Sequence, residues 1–426
     1  MSIRFGKPTL EEAGVLLILL SMYSIGTVSS ITVSWTLTLL LLSSSTLFLF
    51  LNYVFRGGRQ FSTAVIGWAV LTAFCGIGYL RGSPKTIFVF YLLCLVILVS
   101  SSMISVRILK ESFKWIKVFG LFFAFGCYWQ YLFPNQYYSF LYPRFGAYYQ
   151  KSIRRQFTFH KMCTGFTSQT AVAAEFIVLG LMIVLYSDMQ GTRQRDKAIA
   201  IAELIVLAGG FLLTGKRGPL LCLISTIIIV DLLTRKRSKR GSRLLNFAMG
   251  AVIAAIVVYF FAPLFSGSRN SIVRFIETIS EQDIGEISNG RIALSSTALA
   301  EFRNHVLFGI GWGKFSRLYD ITGVHNIYMQ LLCECGLVGA IPCIIGLFVP
   351  FFQTVRIART ALHTGNETII AVLRCSLFMQ FYILVYGLFG NPLYDENYLL
   401  MYLLGLVFSI SANYVLLNPD VMAKRQ

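Results

Sequence analysis

Apolar runs of about 20 residues recur along almost the whole chain, and no other feature narrows its possible folds as far. A helix rises ~1.5 Å per residue, so one such run crosses the ~30 Å hydrocarbon core of a bilayer. No water is present there to satisfy backbone N–H and C=O groups, which leaves only helices or a closed barrel. The runs lack the alternation of a barrel strand, so helices are expected. Composition agrees: 13% of residues are charged and 56% are hydrophobic, where an ordinary soluble domain is roughly a quarter charged. The expected fold class is an all-α polytopic membrane protein, read as a single integral membrane domain over 1–426.

The apolar runs predict about twelve spans, at 13–30, 33–53, 61–80, 86–106, 115–133, 168–187, 198–214, 218–233, 244–263, 325–352, 367–389 and 397–417. Orientation follows from where lysine and arginine collect, because cytoplasmic loops retain them. With the N-terminus inside, every second connection is basic: Arg56 and Arg59; Arg107, Lys110 and Lys114; Arg193, Arg195 and Lys197; Arg235 to Arg243; Arg356 and Arg359; Lys424 and Arg425. Both termini are then cytoplasmic. The first apolar run has no small-residue cleavage site after it and reads as a retained span rather than a cleaved signal.

The chain carries 37 basic and 19 acidic residues, a formal charge of +18. Cytoplasmic retention accounts for most of that excess, and no nucleic-acid-binding motif is present. The cations that fall outside are more informative. An external loop over 134–167 carries Arg144, Lys151, Arg154, Arg155, His160 and Lys161. A second, over 264–324, carries Arg291 and Arg303, and the short turn between the spans ending and beginning near 214 and 218 holds Lys216 and Arg217. Cations kept on the outer face point to an anionic ligand, phosphate first among them. Contact with lipid headgroups is the plain alternative.

Nine cysteines are scattered singly, most of them inside apolar runs. An odd number placed there argues for small buried hydrophobes rather than a disulfide framework. Cys333 and Cys335 flank Glu334 without enough neighbouring ligands for a metal site.

The stretch from Asn289 to Gly339 gathers the chain's polar candidates: an arginine and short helix, a glycine turn, then His325-Asn326 leading into a long apolar run. His325 falls where the loop enters a span, near a helix N-terminus whose dipole favours a neutral ring able to accept a proton. Asn326 suits an N-cap. Arg217 and Lys216 lie between Gly215 and Gly218, with Pro219 in position for a first helical turn, and an arginine fork there suits pyrophosphate. Asn289 is a candidate cap that would put Arg291 in a first turn, where a cation is not favoured by the dipole. Gly309, Gly311 and Gly313 follow no strand, so a tight turn explains them better than a dinucleotide site. Glu334, half a turn out of phase with His325 at ~100° per residue, is expected to pair within the bundle instead of orienting His325.

The segment NGRIALSSTALAEFRNHVLFGIGWGKF followed by VHNIYMQLLCECGLVG resembles the signature region of the O-antigen ligase/polymerase family of bacterial envelope glycosyltransferases, and TGKRG resembles that family's T-G-S-R-G segment. Lys216, Trp312 and Met329 stand where serine, proline and leucine are common in the family. The resemblance implies a GT-C-like membrane enzyme whose large late extracytoplasmic loop contains short helices. It implies His325 as the catalytic residue that assists the acceptor. Arg217 and Arg291 would hold the pyrophosphate of an undecaprenyl-pyrophosphate-linked oligosaccharide; Lys216, Arg155 and Asn326 are further substrate-binding candidates read from the residues themselves. No cofactor and no metal are implied. The expected setting is the bacterial plasma membrane with the active site on its extracytoplasmic face, membrane lipid around it, and a chain-length regulator and a flippase as partners. A polymerase is favoured over a ligase, and a flippase or transporter of lipid-linked sugars is the reading from another class.

Overall fold

A computed structural model describes residues 9–56 apart from 28, 30, 32 and 33, then 64–100, 106–190, 194–234, 291–320 and 323–418. The expected span at 244–263, the basic stretch 235–243 and the part of the late loop before Arg291 lie outside these residues. Among the described residues all regular structure is helical. The long helices are α1 (Leu10–Gly26), α2 (Thr36–Arg56), α3 (Ala64–Leu80), α4 (Lys85–Ser100) and α5 (Val106–Leu132). Two short helices follow, α6 (Pro134–Phe140) and α7 (Ala147–His160), then α8 (Thr170–Tyr186), α9 (Gln194–Leu213) and α10 (Arg217–Leu233). After the late loop come α11 (Arg291–Asn304), α12 (Lys314–Tyr319), α13 (Ile327–Thr364), α14 (Glu367–Tyr386) and α15 (Glu396–Leu417).

A helix stands at each of the other eleven expected spans. Among the described residues, by length and apolarity alone, four helices suffice to cross a membrane: α2, α13, α14 and α15. The pair α5–α6, bent by 110°, would make a fifth, while Val65–Leu80, Lys85–Ser100 and Thr170–Tyr186 are apolar but shorter.

Lipid tails are as apolar as leucine, so helices in a bilayer are held by close packing rather than by exclusion of water. The contact between α3 and α13 shows the device: a Cβ added at Gly67 would lie 2.5 Å from the Gly346 Cα. Larger residues would separate the two backbones. The deepest packing lies on α8, α14 and α15, where Phe176, Phe378, Tyr382, Tyr398, Tyr402 and Phe408 are fully buried.

Polar contacts identify the two ends of the bundle. At one end Lys117 of α5 bridges Asp188 at 2.8 Å and Glu203 at 3.0 Å, tying α5 to the turn after α8 and to α9. At the other, five connections meet. Cys163 N–H donates to Leu213 O at 2.8 Å, joining the α7–α8 segment to the turn before α10. Arg317 Nη1 donates to Gly82 O at 3.1 Å, and Ile327 N–H donates to Gly387 O at 2.8 Å. The connections after α3, α7, α9, α11 and α14 therefore share one face. These are the connections that alternation of basic residues assigns to the outside.

Candidate functional site

The late loop is fastened to this face by α13, which is not one continuous helix. Gly336 breaks it, with φ 60° and ψ −167°. In an unbroken helix Leu337 and Val338 N–H would donate to the carbonyls of Cys333 and Glu334. Here the segment 306–311 takes both sides of those bonds. Ile310 and Gly311 donate to Cys333 O and Glu334 O, both at 2.9 Å, while Leu337 and Val338 donate to Val306 O and Leu307 O at 2.8 and 3.1 Å. Every freed group at the break thus finds a partner, as burial requires. The crossing is so close that only glycine fits: a Cβ at Gly309 would lie 2.4 Å from the Glu334 carbonyl carbon, and one at Gly336 would lie 2.3 Å from Leu307 O.

The glycine run is the tight turn expected, with positive φ at Gly309, Gly311 and Gly313. Its anchor is Glu334. The carboxylate accepts the N–H groups of Gly313 at 2.7 Å and Phe315 at 3.1 Å, the Gln330 amide at 3.4 Å, and the Tyr394 hydroxyl. Glu334 therefore holds the late loop, a role its helical phase did not suggest. Trp312 completes the docking: it stacks on Tyr394 with centroids 4.3 Å apart, meets Tyr91 edge-on, and its carbonyl accepts from the Ser83 hydroxyl. A small second core of Ala298, Ile310, Phe315, Val324 and Cys333 joins α11, the turn, α12 and α13.

His325 lies just before α13 in the left-handed region, φ 57°. That conformation is uncommon for a residue with a side chain, and its presence at a candidate site is informative. Asn326 is the cap expected, its Oδ1 accepting from Tyr328 and Met329 N–H, both at 3.1 Å. Burial, and after it the charge of Arg291, hold the His325 imidazole below the ordinary histidine value. The ring is kept neutral as anticipated, although the causes are desolvation and a guanidinium rather than the helix dipole.

Arg291 opens α11 and is exposed; its candidate cap Asn289 lies outside the described residues. Its charge also acts on Lys216, which caps the N-terminus of α10 and is held below the ordinary lysine value by burial first and by Arg291 second. Arg217 is the first residue of α10, with Pro219 in the first turn. The charge of Arg291 therefore reaches both Lys216 and His325, each on a different connection, with Arg217 next in sequence to Lys216. Arg155 is different. It is exposed on α7 and makes no ion pair or hydrogen bond among the described residues.

Like charges gathered at a partly buried site repel one another until an anion joins them. Arginine and lysine can share the oxygens of a diphosphate, and a neutral histidine beside them can accept a proton from a hydroxyl. The set is equipped for displacement of a phosphate-bearing leaving group. Sequence reasoning did not assign Glu334, Gln330 or Trp312 to this face. The glycines opposite Glu334 were the one visible trace of that contact.

Residues 202–344 match the family model described as O-antigen ligase, a segment running from within α9 to the first half of α13 and containing Lys216, Arg217, Arg291 and His325. No curated protein matches the chain.

Proposed function

We infer that this membrane protein, whose residues 202–344 match the O-antigen ligase family model, is a glycosyltransferase that moves an oligosaccharide from an undecaprenyl-pyrophosphate carrier to a sugar hydroxyl outside the plasma membrane. The observation that carries this reading is that the charge of Arg291 acts on both Lys216 and His325, all three within the matched segment. His325 accepts the proton of the attacking hydroxyl as its oxygen bonds to the anomeric carbon of the donor sugar. The bond from that carbon to the diphosphate breaks, and the diphosphate leaves with the electron pair. Arg217, Arg291 and Lys216 stabilise the charge that develops on it. A single displacement inverts the anomeric centre. No residue in this scheme requires a metal.

The acceptor we favour is a second lipid-linked repeat unit, which makes the protein a polymerase. Transfer of a finished chain to lipid A-core or to a protein is the second reading, supported by the family's own description as a ligase. Surface glycans of a deletion strain separate the two. Single repeats accumulating on the carrier indicate a polymerase, and long carrier-linked chains indicate a ligase. A flippase would form no glycosidic bond, so product formation by the purified protein from a lipid-linked donor excludes it.

A further inference from the structure

The backbone around His325 is clamped from several sides. Ile327 N–H is taken by Gly387 O and Asn326 caps α13, so the chain is fixed immediately after the histidine. Immediately before it, Val324 is fully buried, and its N–H has one described acceptor, the Gln330 side chain, at 3.2 Å. Gln330 is itself buried and lies about one turn into α13. The other end of its amide donates to Glu334 Oε1 at 3.4 Å, which fixes which way the amide faces. Gly323 packs against the same group. Its φ is 115°, and a Cβ there would lie 2.8 Å from Gln330 Oε1 and 2.5 Å from the Asn391 amide nitrogen. The carboxylate that anchors the glycine turn is thus linked through one glutamine to the residue preceding His325.

We propose that Gln330 is a positioning residue for His325: its amide, oriented by Glu334, holds the Val324 N–H and so fixes the left-handed backbone from which His325 presents its ring. The proposal rests on the reading of His325 as the general base. A left-handed histidine has a competing extended conformation within easy reach, and the bond at Val324 selects between them. Without that bond the ring loses its aim while the cations that bind diphosphate stay in place. Gln330 touches neither substrate nor reacting atoms in this account.

The test is a double-mutant cycle on the purified full-length protein with a defined lipid-linked oligosaccharide. Gln330→Met keeps the volume of the side chain and removes both hydrogen bonds. Alone, it should lower kcat roughly 10- to 100-fold, the effect of a catalytic group displaced by about 1 Å, with the donor KM changed by less than about twofold. In a His325→Ala background the same change should lower the residual rate by less than about twofold, because the group it positions is gone. A merely structural glutamine would reduce both backgrounds by the same factor. Parental kcat in Gln330→Met, or equal losses in the two backgrounds, overturns the proposal. If Gln330→Met does not accumulate in the membrane, Gln330→Asn keeps the amide but shortens its reach and enters the same cycle with the same criteria. A near-parental rate for His325→Ala alone would overturn the base assignment itself, a result distinct from failure of the cycle.

Discussion

Arg291 begins the described part of the late loop and His325 follows that loop's end, and the guanidinium of one helps to hold the imidazole of the other below its ordinary value. The sign of the pH dependence follows. A depressed folded value keeps the base neutral to below pH ~6.5, the value of an unperturbed histidine. Transfer is then lost as pH falls through the depressed value. The same depression makes the fold less stable on acidification below pH ~6.5, because the unfolded chain takes up the proton first. Arg291→Gln removes the repulsion and leaves the burial, so the acid limb of the residual rate should move to higher pH. A pH–rate profile of the two proteins checks the shift.

The diphosphate roles of Arg217 and Arg291 make a separate prediction. Arg217→Ala and Arg291→Ala should each cripple transfer while folded protein remains in the membrane, since each removes charge-assisted bonds to the leaving group. Lysine at either position should restore only part of the rate, because a point charge lacks the planar fork. Turnover normalised to folded protein is the readout.

The crossing at the break in α13 predicts unequal tolerance among glycines. Gly336→Ala forces a side chain into a positive-φ, extended-ψ conformation that is essentially reserved for glycine, at about 1–3 kcal/mol, and drives it into Leu307 O, which adds about 1–3 kcal/mol of overpacking. Gly218 lies in the first turn of α10 with nothing within 4 Å of an added Cβ, so Gly218→Ala should change stability by no more than about 0.5 kcal/mol. Thermal unfolding in detergent compares the pair.

Helix positions were legible because each is written locally: eleven apolar runs became eleven helices, and Asn326 caps the helix that begins beside it. The break at Gly336 was not legible. Apolar character runs through it without interruption, and the cause of the break is the distant segment 306–311, which supplies the replacement hydrogen bonds. Glu334 was misplaced for a related reason. Counting phase on one helix puts it opposite His325, and only the fold shows Gln330 standing between them. The site cations were marked by lying in connections where basic residues are usually depleted. Arg155 carried the same mark, yet the structure leaves it exposed on α7 without a described contact to the others.

Orientation in the membrane can be measured by cysteine labelling, a readout that does not depend on activity. All nine native cysteines are free and buried, so background labelling should be low. Cysteines introduced at Arg155 and Arg217 should react with an impermeant reagent added to intact cells. Those at Asp196 and Arg359, exposed near the helix ends on the opposite side, should react only after the membrane is opened. The reverse pattern would invert the topology and place His325 on the cytoplasmic side.

The central claim is that His325 takes the proton of the acceptor hydroxyl, and purified His325→Ala assayed with a defined lipid-linked donor tests it most directly. Loss of a positioned general base should slow transfer by about 10²- to 10⁴-fold. Donor binding should change little, because Arg217, Arg291 and the apolar carrier tail would supply it, and EDTA should leave the parental rate unaltered. The account predicts a well-folded, donor-binding and nearly inert variant. A well-folded variant with near-parental turnover would contradict it.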